Sequence, residues 1–351
     1  RDNGYKQCGI VLASLDKKYE DKNAEWPDIL TKSQMKSRMI DGPEFSGLYP
    51  GMNHDFKSAL YTSADGRAEP QKAAPAIAEA ARDKGAHILT NCAVRGLETS
   101  GGKISGVVTE RGTIACSSVV LAGGAWSSLF ARNAGVDVPQ LKVMNTVIRT
   151  KPIEGGPEQT LYGRDFAFRK RQDGGYTIAS RYDNIVEIVP DSFRYMLKFL
   201  PALKSEWRSL RFRVSGRFLE EGRMPQRWRM DEESPFERCR VLDPKPSDKW
   251  TNHALAQLKK DYPVFAKAEI EQRWAGYIDV SPDAVPIISP VEKIPGFFIA
   301  TGFSGHGFGI GPGAGRLMAD LVTGHAPCVD PTPFRLSRFF DGSKIEVISG
   351  V

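Results

Sequence analysis

The sequence GFFIATGFSGHGFGIGPGAGRLMADLVTG occupies residues 296–324 and decides the fold that we predict for the chain. Its apolar run, residues 297–300, predicts a strand buried on both faces. Glycine then recurs at 302, 305, 307, 309, 311, 313 and 315, so a flat or anionic ligand can approach the backbone closely. Pro312 suits the first turn of a helix that ends at Gly324. Because the N-terminus of a helix favours negative charge, this order of elements predicts a cofactor-binding site.

Residues 302–308, GFSGHGF, resemble the C-terminal flavin loop of the sarcosine-oxidase and D-amino-acid-oxidase superfamily. The resemblance extends along nearly the whole chain. Two further blocks carry it, AGGAWS at 122–127 and WAGYIDVSPDAVPIIS at 274–289. It implies an α/β fold, with an incomplete FAD-binding Rossmann-like domain and a second, mostly antiparallel β domain for the substrate. The alternative interpretation of the loop is a turn that only packs a helix against a strand.

The sequence contains no GxGxxG motif, although chains of this superfamily begin with a βαβ unit whose first turn carries it. In the superfamily that turn binds the pyrophosphate of FAD. Here the chain starts almost directly with a predicted strand at 5–15. We therefore interpret the sequence as a fragment of a longer protein that lacks at least the ~30 residues of a βαβ unit. We expect the fragment by itself to be inactive.

Changes in amino-acid composition and in the pattern of predicted elements divide the chain into four predicted segments. Residues 1–60 are assigned to the substrate domain, and residues 61–140 to the FAD-binding domain. Residues 141–275 are assigned to the substrate domain, because alternating strands are followed there by helical, arginine-rich sequence. Residues 276–351 return to the FAD-binding domain.

Local patterns predict several individual elements around the second block. A helix is expected from Pro70 to Gly85, since proline suits a first turn and glycine an end. Short apolar runs predict strands at 87–89, 94–97, 104–108 and 119–121.

Composition excludes several classes of protein. The net charge of +6 would suit a nucleic-acid binder, but the basic residues are scattered among acids, so we predict no nucleic-acid partner. No apolar run approaches the ~18 residues of a membrane span. The five cysteines show neither CxxC nor metal-binding spacing, so we predict no metal. Reduced thiols indicate a reducing compartment, and we predict a cytoplasmic location.

His306 lies inside the glycine loop, and its counterpart in the superfamily lines the active site. One interpretation is catalytic, in which the imidazole polarises flavin or substrate or helps to take the amine proton. The other is structural, in which the side chain only hydrogen-bonds loop backbone.

The resemblance also implies which residues contact FAD. Val94 would do so through its backbone on the adenine side. The full predicted set is Val94, Gly123, Ala125, Gly302, Phe303, Ser304, Gly305, His306, Gly307, Phe308 and Gly309. Gly276 stands near the place of the cysteine that binds flavin covalently in some sarcosine oxidases, so non-covalent FAD is expected.

The chain departs from its relatives at the positions that hold the substrate carboxylate. Gly309 stands where sarcosine-oxidase-like members carry a lysine, and Gly305 and Ile278 stand where glycine-oxidase-like members carry arginines. A bidentate arginine is the usual means of binding a carboxylate. We therefore consider Arg181 and Arg169 as candidates, against the alternative that both are ordinary surface arginines.

These observations predict an FAD-dependent oxidoreductase that oxidises the C–N bond of an amino acid or secondary amine by hydride transfer to flavin. The substrate classes considered are D-amino acids, sarcosine-like N-alkyl glycines and opines. The alternative is a non-catalytic, flavin-free homologous subunit of an oxidoreductase complex. The expected partner is a small-molecule amine substrate, and we also consider a place in a hetero-oligomer.

Overall fold

The computed structural model describes residues 1–32, 35–207 and 209–347. Its strands lie between Lys6 and Thr301. In chain order they are β1 (Lys6–Gln7), β2 (Ile10–Ala13), β3 (Ser37–Asp41), β4 (Ser58–Thr62), β5 (Gly66–Arg67), β6 (Val94–Ser100), β7 (Lys103–Thr109), β8 (Gly112–Ala115), β9 (Val119–Leu121), β10 (Leu141–Thr150), β11 (Thr160–Tyr162), β12 (Phe166–Lys170), β13 (Tyr176–Ser180), β14 (Asn184–Glu187), β15 (Leu210–Arg213), β16 (Ile270–Val280), β17 (Ile287–Pro290) and β18 (Phe297–Thr301).

Helices alternate with these strands, which confirms the predicted α/β class. The α-helices are α1 (Lys17–Lys32), α2 (Gly42–Leu48), α3 (Pro70–Asp83), α4 (Ser127–Asn133), α5 (Pro190–Arg194), α6 (Met196–Glu206), α7 (Arg217–Arg223), α8 (Pro235–Arg238), α9 (Asp248–Asp261) and α10 (Gly307–Thr323). Short 3₁₀ helices include Gly124–Trp126, Pro263–Phe265, Thr332–Phe334 and Leu336–Phe339. Within the described ranges, no helix combines the length and apolar character needed to cross a membrane.

The chain divides into two compact units. The first comprises Arg1–Ile88, Thr146–Asp183 and Lys245–Ala275, and the second comprises Leu89–Asn145, Asn184–Pro244 and Gly276–Val351. The glycine loop thus shares its unit with residues 184–244, which the sequence analysis assigned to the substrate domain. The assignment of a function to each domain stays a prediction.

A mixed sheet forms the first unit, in the order β10-β13-β12-β11-β2-β4-β3, where β10 contributes its last residues. Its strands are antiparallel to their neighbours except β11 and β2, which are parallel. Aromatic rings fill the space between this sheet and α9. Phe168 meets Tyr176 with ring centroids 5.9 Å apart, and Tyr176 meets Phe265 at 4.8 Å. Aromatic side chains in edge-to-face contact therefore form a large part of this core.

Strand β18 lies at the centre of a three-stranded sheet in the second unit, antiparallel to β17 and parallel to β9. Phe297 and Ile299 are fully buried in a cluster on one face. Phe298 and Ala300 face the other way and pack with Leu317 of α10. Both faces are covered, which confirms the strand predicted from the apolar run.

Helix α10 begins at Gly307, five residues before the proline that the sequence analysis placed in its first turn. Pro312 instead lies inside the helix, so that prediction is wrong. The predicted end is confirmed, because Gly324 caps the helix with a φ of 72° and donates its N–H to the carbonyl of Asp320. The early start extends the helix into the glycine-rich sequence and puts its N-terminus directly after the loop.

Other local predictions had mixed outcomes. The helix predicted from Pro70 is α3, and it ends before Gly85, which has a φ of 94°. The predicted strands at 94–97 and 104–108 form the hairpin of β6 and β7. The strand predicted at 87–89 is wrong. Those residues are irregular and mostly exposed, and Leu89 is 56% exposed, so the segment lacks the burial that makes an apolar run a strand.

A buried ion pair fastens the segment after α10 to the loop before β17. Arg338 donates through Nε to Asp283 Oδ2 at 2.7 Å and through Nη2 to Oδ1 at 3.1 Å. Both side chains are more than nine-tenths buried. Nη2 also donates to the carbonyl of Val285 at 2.8 Å. The carboxylate therefore depends on this one arginine for its counter-charge.

We expect Arg338→Leu to lower the free energy of unfolding by about 3–5 kcal/mol, because Asp283 would keep a buried charge without its partner. Arg335→Leu is the control, since Arg335 pairs with Asp341 at the surface and such pairs contribute at most about 1 kcal/mol. Urea unfolding followed by circular dichroism measures both. Equal losses would contradict a special role for the buried pair.

Candidate functional site

Two loops meet at one edge of the β17-β18-β9 sheet. Because β18 and β9 are parallel, with Ile299 paired to Leu121, their carboxyl ends lie side by side. The glycine loop, residues 302–306, follows β18, and residues 122–126 follow β9. Ligands of α/β proteins bind at such carboxyl ends. The two blocks that carried the resemblance are therefore brought together.

A cavity of about 550 Å³, here called the cradle, lies between the two loops and the start of α10. Its lining includes the small residues Ala122, Gly124, Gly305, Gly307, Gly311 and Gly315. A Cβ added at Gly311 or Gly315 would meet no atom within 4 Å, so the glycines leave open space there. The cradle can therefore accept a flat ring close to the backbone.

The backbone of the glycine loop needs conformations that side chains disfavour. Gly302 has a φ of 72° and Gly305 a φ of 90°. Ser304 between them also has a positive φ, 51°, and is held by its Oγ, which donates to the carbonyl of Gly302 at 3.1 Å and accepts from the N–H of Ser281 at 3.2 Å. A non-glycine residue with a positive φ raises the free energy of the folded state. The surrounding hydrogen bonds therefore hold Ser304 in a conformation that it would not favour by itself.

The N-terminus of α10 supplies free donors beside the cradle. The helix begins at Gly307, and the first N–H groups of a helix have no acceptor within it. Among the residues that the structure describes, no side chain caps this end. Unpaired N–H groups and the positive end of the dipole therefore lie next to the cavity and favour negative charge on a ligand.

A buried polar cluster joins the two loops, and the sequence analysis missed its central residue. Gln140 is 3% exposed and donates through Nε2 to the carbonyl of Gly124 at 3.0 Å and to Thr301 Oγ1 at 2.8 Å. Asp279 Oδ2 accepts from the N–H of Gly302 at 2.6 Å and from Thr301 Oγ1 at 3.0 Å. Asp279 stood in a block that carried the resemblance, whereas no motif marked Gln140.

A second cavity, of about 390 Å³ and here called the apolar pocket, adjoins the cradle through the shared residue Ile278. Strand alternation builds its wall, since every second side chain of a strand points to the same face. The contributing side chains are Leu141 and Val143 of β10, Asn184 and Val186 of β14, and Ile278 and Val280 of β16. Helices α5 and α6 and strand β15 complete it with Phe193, Met196, Phe199, Leu203, Leu210 and Phe212.

The glycine loop faces both cavities. Phe303, Gly305 and Gly307 line the cradle, whereas Ser304 and His306 line the apolar pocket. The predicted FAD-contacting residues of the loop are therefore divided between two surfaces. His306 and Ser304 are two of the seven polar side chains in the pocket lining, and the others are Asn184, Ser192, Glu206, Ser209 and Ser281.

Charged groups lie on the other side of the pocket wall. Tyr277 and Glu187 alternate with pocket-lining residues, and the Tyr277 hydroxyl donates to Glu187 Oε2 at 3.0 Å. Burial raises the pKa of Tyr277 to about 12, so it remains a donor at neutral pH. Burial alone would raise the pKa of Glu187, but hydrogen bonds from Ser215, Arg213 and Tyr277 outweigh it and hold that pKa below its usual value. The side chain of Glu187 is therefore ionised and hydrogen-bonded on the far side of the pocket wall.

The structure places the remaining predicted contacts as follows. Val94 and Gly123 line a third cavity, of about 670 Å³, so the structure brings these two residues together. Ala125 lies in the 3₁₀ helix after β9, and Phe308 lines the cradle. Gly309 is exposed in the first turn of α10. Their contacts with a cofactor stay predictions.

The two candidate arginines lie in the first unit, and both have partners there. Arg181 donates through Nη1 to the carbonyl of Gly163 at 3.1 Å, and its guanidinium lies 4.6 Å from the ring centre of Tyr162. Arg169 donates to Glu69 Oε1 at 3.3 Å. Arg169 is therefore neutralised by a carboxylate, whereas Arg181 contacts a backbone carbonyl and the rings of Tyr162 and Tyr19, which are neutral groups. Their role with a substrate stays a prediction.

The sequence of residues 1–321 matches the family described as FAD dependent oxidoreductase, or DAO. The chain belongs to the DAO family of FAD-dependent oxidoreductases. This confirms the predicted family and its cofactor. The match is consistent with the loops and helix N-terminus described above.

Three relatives place the chain within this family. The solved structure of L-amino acid deaminase from Proteus myxofaciens in complex with anthranilate is 37% identical, with a TM-score of 0.92 over 96% of this chain and 76% of that one. The mitochondrial sarcosine dehydrogenase of Mus musculus is 24% identical over 87% of this chain and 29% of its own length. Sarcosine oxidase subunit beta of an Arthrobacter species is 25% identical over 94% of this chain and 66% of its own. The chain thus spans about a third of the mitochondrial relative.

The residues of the second unit fit FAD. The cradle offers an open, glycine-lined surface that a Cβ would fill, and the free N–H groups at Gly307, Phe308 and Gly309 favour the negative charge of a reduced flavin. Ala122 lines both the cradle and the third cavity, so these two cavities adjoin each other. Residues 122–126 and 302–309 would hold the cofactor, with Asp279 and Gln140 behind them.

We expect Gly305→Val to abolish FAD binding, because its Cβ would enter the cradle. The added Cβ would meet only Ile278 Cγ2, at 3.9 Å, so the protein itself leaves room for it. Gly324→Val is the matched control, since Gly324 also has a positive φ and open space but lies at the far end of α10. The positive φ costs about 1–2 kcal/mol in each variant.

Flavin absorbance per purified protein measures the bound FAD, and thermal unfolding shows that both variants are folded. Equal and full FAD content in the two variants would mean that Gly305 serves only the turn.

Proposed function

We propose that this protein oxidises the Cα–N bond of an L-α-amino acid with a large apolar side chain, with FAD as the hydride acceptor. The observation that carries the proposal is the apolar pocket beside the cradle. Its volume of about 390 Å³ is within the usual range for small-molecule sites. Leucine, valine, isoleucine, methionine and phenylalanine side chains dominate its lining. Such a surface favours an apolar side chain and gains little from glycine or sarcosine.

The comparisons support the amino-acid part of this proposal. The L-amino acid deaminase structure is more similar to this chain than the sarcosine relatives are, at 37% against 24% and 25% identity. The chain also lacks the carboxylate-binding positions of the sarcosine-oxidase-like and glycine-oxidase-like members, with Gly309, Gly305 and Ile278 in their places. An L-amino acid is thus favoured over the D-amino acids, N-alkyl glycines and opines first considered.

The chain's own residues would share the remaining tasks. When bound, FAD supplies the ring that accepts the hydride, so the protein has to bind, orient and deprotonate the amine. His306 lies in the pocket lining next to Ser304 and would take the amine proton at a ring nitrogen, because only the neutral amine gives up hydride readily. Arg181 is the better candidate for the carboxylate, since Arg169 already pairs with Glu69. Association with a second subunit also stays a prediction.

We expect L-leucine and L-phenylalanine to reduce the flavin of the FAD-loaded protein with kcat/KM about 10- to 100-fold above that of glycine. Burial of such a side chain contributes about 1.5–3 kcal/mol, and about 1.4 kcal/mol corresponds to a factor of ten. Anaerobic stopped-flow absorbance measures the reduction. D-leucine and sarcosine are the controls for configuration and for secondary amines. Faster reduction by sarcosine than by L-leucine would refute the proposal.

We expect His306→Asn to retain FAD but to slow flavin reduction by L-leucine about 10²-fold, the low end for a lost acid–base group. The pH profile of kcat/KM should also lose one limb. Ser209→Ala is the control, because it removes a polar group of the pocket lining outside the glycine loop without removing a base. A severalfold effect with an unchanged pH profile would assign His306 to a structural role.

A further inference from the structure

We propose that Gln140 is a positioning residue that sets the spacing of the two loops facing the cofactor. Gln140 immediately precedes β10 and is 3% exposed. It belongs to neither loop and lines neither the cradle nor the apolar pocket. Its amide contacts both loops and approaches the Gly124 carbonyl more closely, at 3.0 Å, than Thr301 Oγ1 does, at 3.3 Å. The proposal rests on FAD occupying the cradle.

On one side the amide holds the loop after β9. Nε2 donates to the carbonyl of Gly124 at 3.0 Å, and Oε1 accepts the N–H of Ser128 at 3.0 Å. Gly124 lines the cradle and Ser128 belongs to α4. The amide therefore fixes both the tip of this loop and the helix that follows it.

On the other side the same amide holds the root of the glycine loop. Nε2 lies 2.8 Å from Thr301 Oγ1 and 3.2 Å from Asp279 Oδ2. Asp279 in turn accepts the N–H of Gly302 through Oδ2 at 2.6 Å, and its carbonyl accepts the N–H of Ser304 at 2.9 Å. Asp279 also lines the cradle. A shift of the amide would therefore move two walls of the cradle relative to each other.

The chemistry of the cluster requires an amide at this position. The Gly124 carbonyl and the Asp279 carboxylate need a donor, whereas the Ser128 N–H needs an acceptor, and only an amide of this length supplies both from one planar group. A carboxylate in its place would face Asp279 with like charge. A leucine would leave the Gly124 carbonyl with the longer contact to Thr301 Oγ1, at 3.3 Å, and would leave the buried Ser128 N–H without the acceptor that Gln140 provides, which is costly.

The charged groups around the cluster come from several elements. Asp279 of β16 approaches Nε2 directly. Ser128 Oγ lies 3.4 Å from both Arg132 Nη2 and the Tyr195 hydroxyl, and that hydroxyl donates to Asp137 at 2.6 Å. A carboxylate at position 140 would therefore be buried and would have Asp279 as its nearest charge. Both effects favour its protonated form, whose single O–H can donate one of the two hydrogen bonds that the amide donates.

The test compares Gln140→Glu with Gln140→Leu. We expect Gln140→Leu to weaken FAD binding about 10- to 100-fold at every pH, because it loses hydrogen bonds to the Gly124 carbonyl and the Ser128 N–H, and neither backbone group titrates. We expect Gln140→Glu to bind FAD within a few-fold of the native protein near pH 5, where the carboxyl is protonated, and to lose at least ~10-fold by about pH 8. FAD binding by Gln140→Glu weakens as the pH rises, because the new carboxyl can donate a hydrogen bond below its pKa and cannot donate one above it.

The FAD dissociation constant, from quenching of flavin fluorescence, and the circular dichroism of bound flavin are measured across this pH range. Gln7→Glu is the control for added charge, since its amide reaches only the carbonyl of Ser63. If Gln140→Leu fails to fold, the pH dependence of FAD binding by the isosteric Gln140→Glu still tests the proposal.

Native affinity in both variants would overturn the proposal. A loss in Gln140→Glu that is equal at every pH would also overturn it, because general packing does not depend on that proton. Failure of the full-length protein, with the predicted βαβ unit restored, to bind FAD would instead refute the cofactor assignment on which the inference rests.

Discussion

Strands β9 and β18 lie side by side and run in the same direction, with Phe297 beside Val119 and Ile299 beside Leu121. The rest of the site depends on this pairing. Antiparallel strands would put the two glycine-containing loops at opposite edges of the sheet. The parallel pair brings them to one edge, where the start of α10 adds its free N–H groups. A binding site for an anionic cofactor follows from the topology before any single side chain is considered.

The elements that could be predicted are those with a strong local signal. The apolar run 297–300 identified β18, and the proline and glycine of residues 70–85 identified α3. The start of α10 could not be read in this way, because Pro312 and repeated glycines disfavour a helix interior. In the structure, the burial of Leu317 and Met318 against β18 outweighs that local preference. The segment 87–89 failed for the opposite reason, since its apolar residues remain exposed.

The site could be predicted only in part, because several of the residues that form it lie far apart in the sequence. The loop residues stand next to one another and form a motif, so they could be identified. Gln140 lies 16, 139 and 161 positions from Gly124, Asp279 and Thr301, the groups to which it donates. The apolar pocket likewise combines alternate residues of β10, β14 and β16. Neither leaves a pattern within any one stretch of sequence, and only the folded chain brings these groups together.

The glycines inside α10 destabilise the helix, and packing within the described residues does not compensate for this loss. Each glycine inside a helix costs about 1 kcal/mol relative to alanine. At Gly309, Gly311, Gly313 and Gly315, an added Cβ would meet no atom of the described residues within 4 Å. Close packing of the described residues therefore does not explain their small size. At Gly311 and Gly315, which line the cradle, the open space is part of that cavity.

The glycine loop separates two tasks within five residues. Its glycines present backbone to the cradle, whereas Ser304 and His306 present side chains to the apolar pocket. Asp279 holds the loop from behind, with Oδ2 on the Gly302 N–H and its carbonyl on the Ser304 N–H. One residue of β16 therefore anchors the loop on both surfaces, at Gly302 and at Ser304, two residues before His306. The position of the proposed base is thus tied to the wall of the cradle through backbone hydrogen bonds of a single loop.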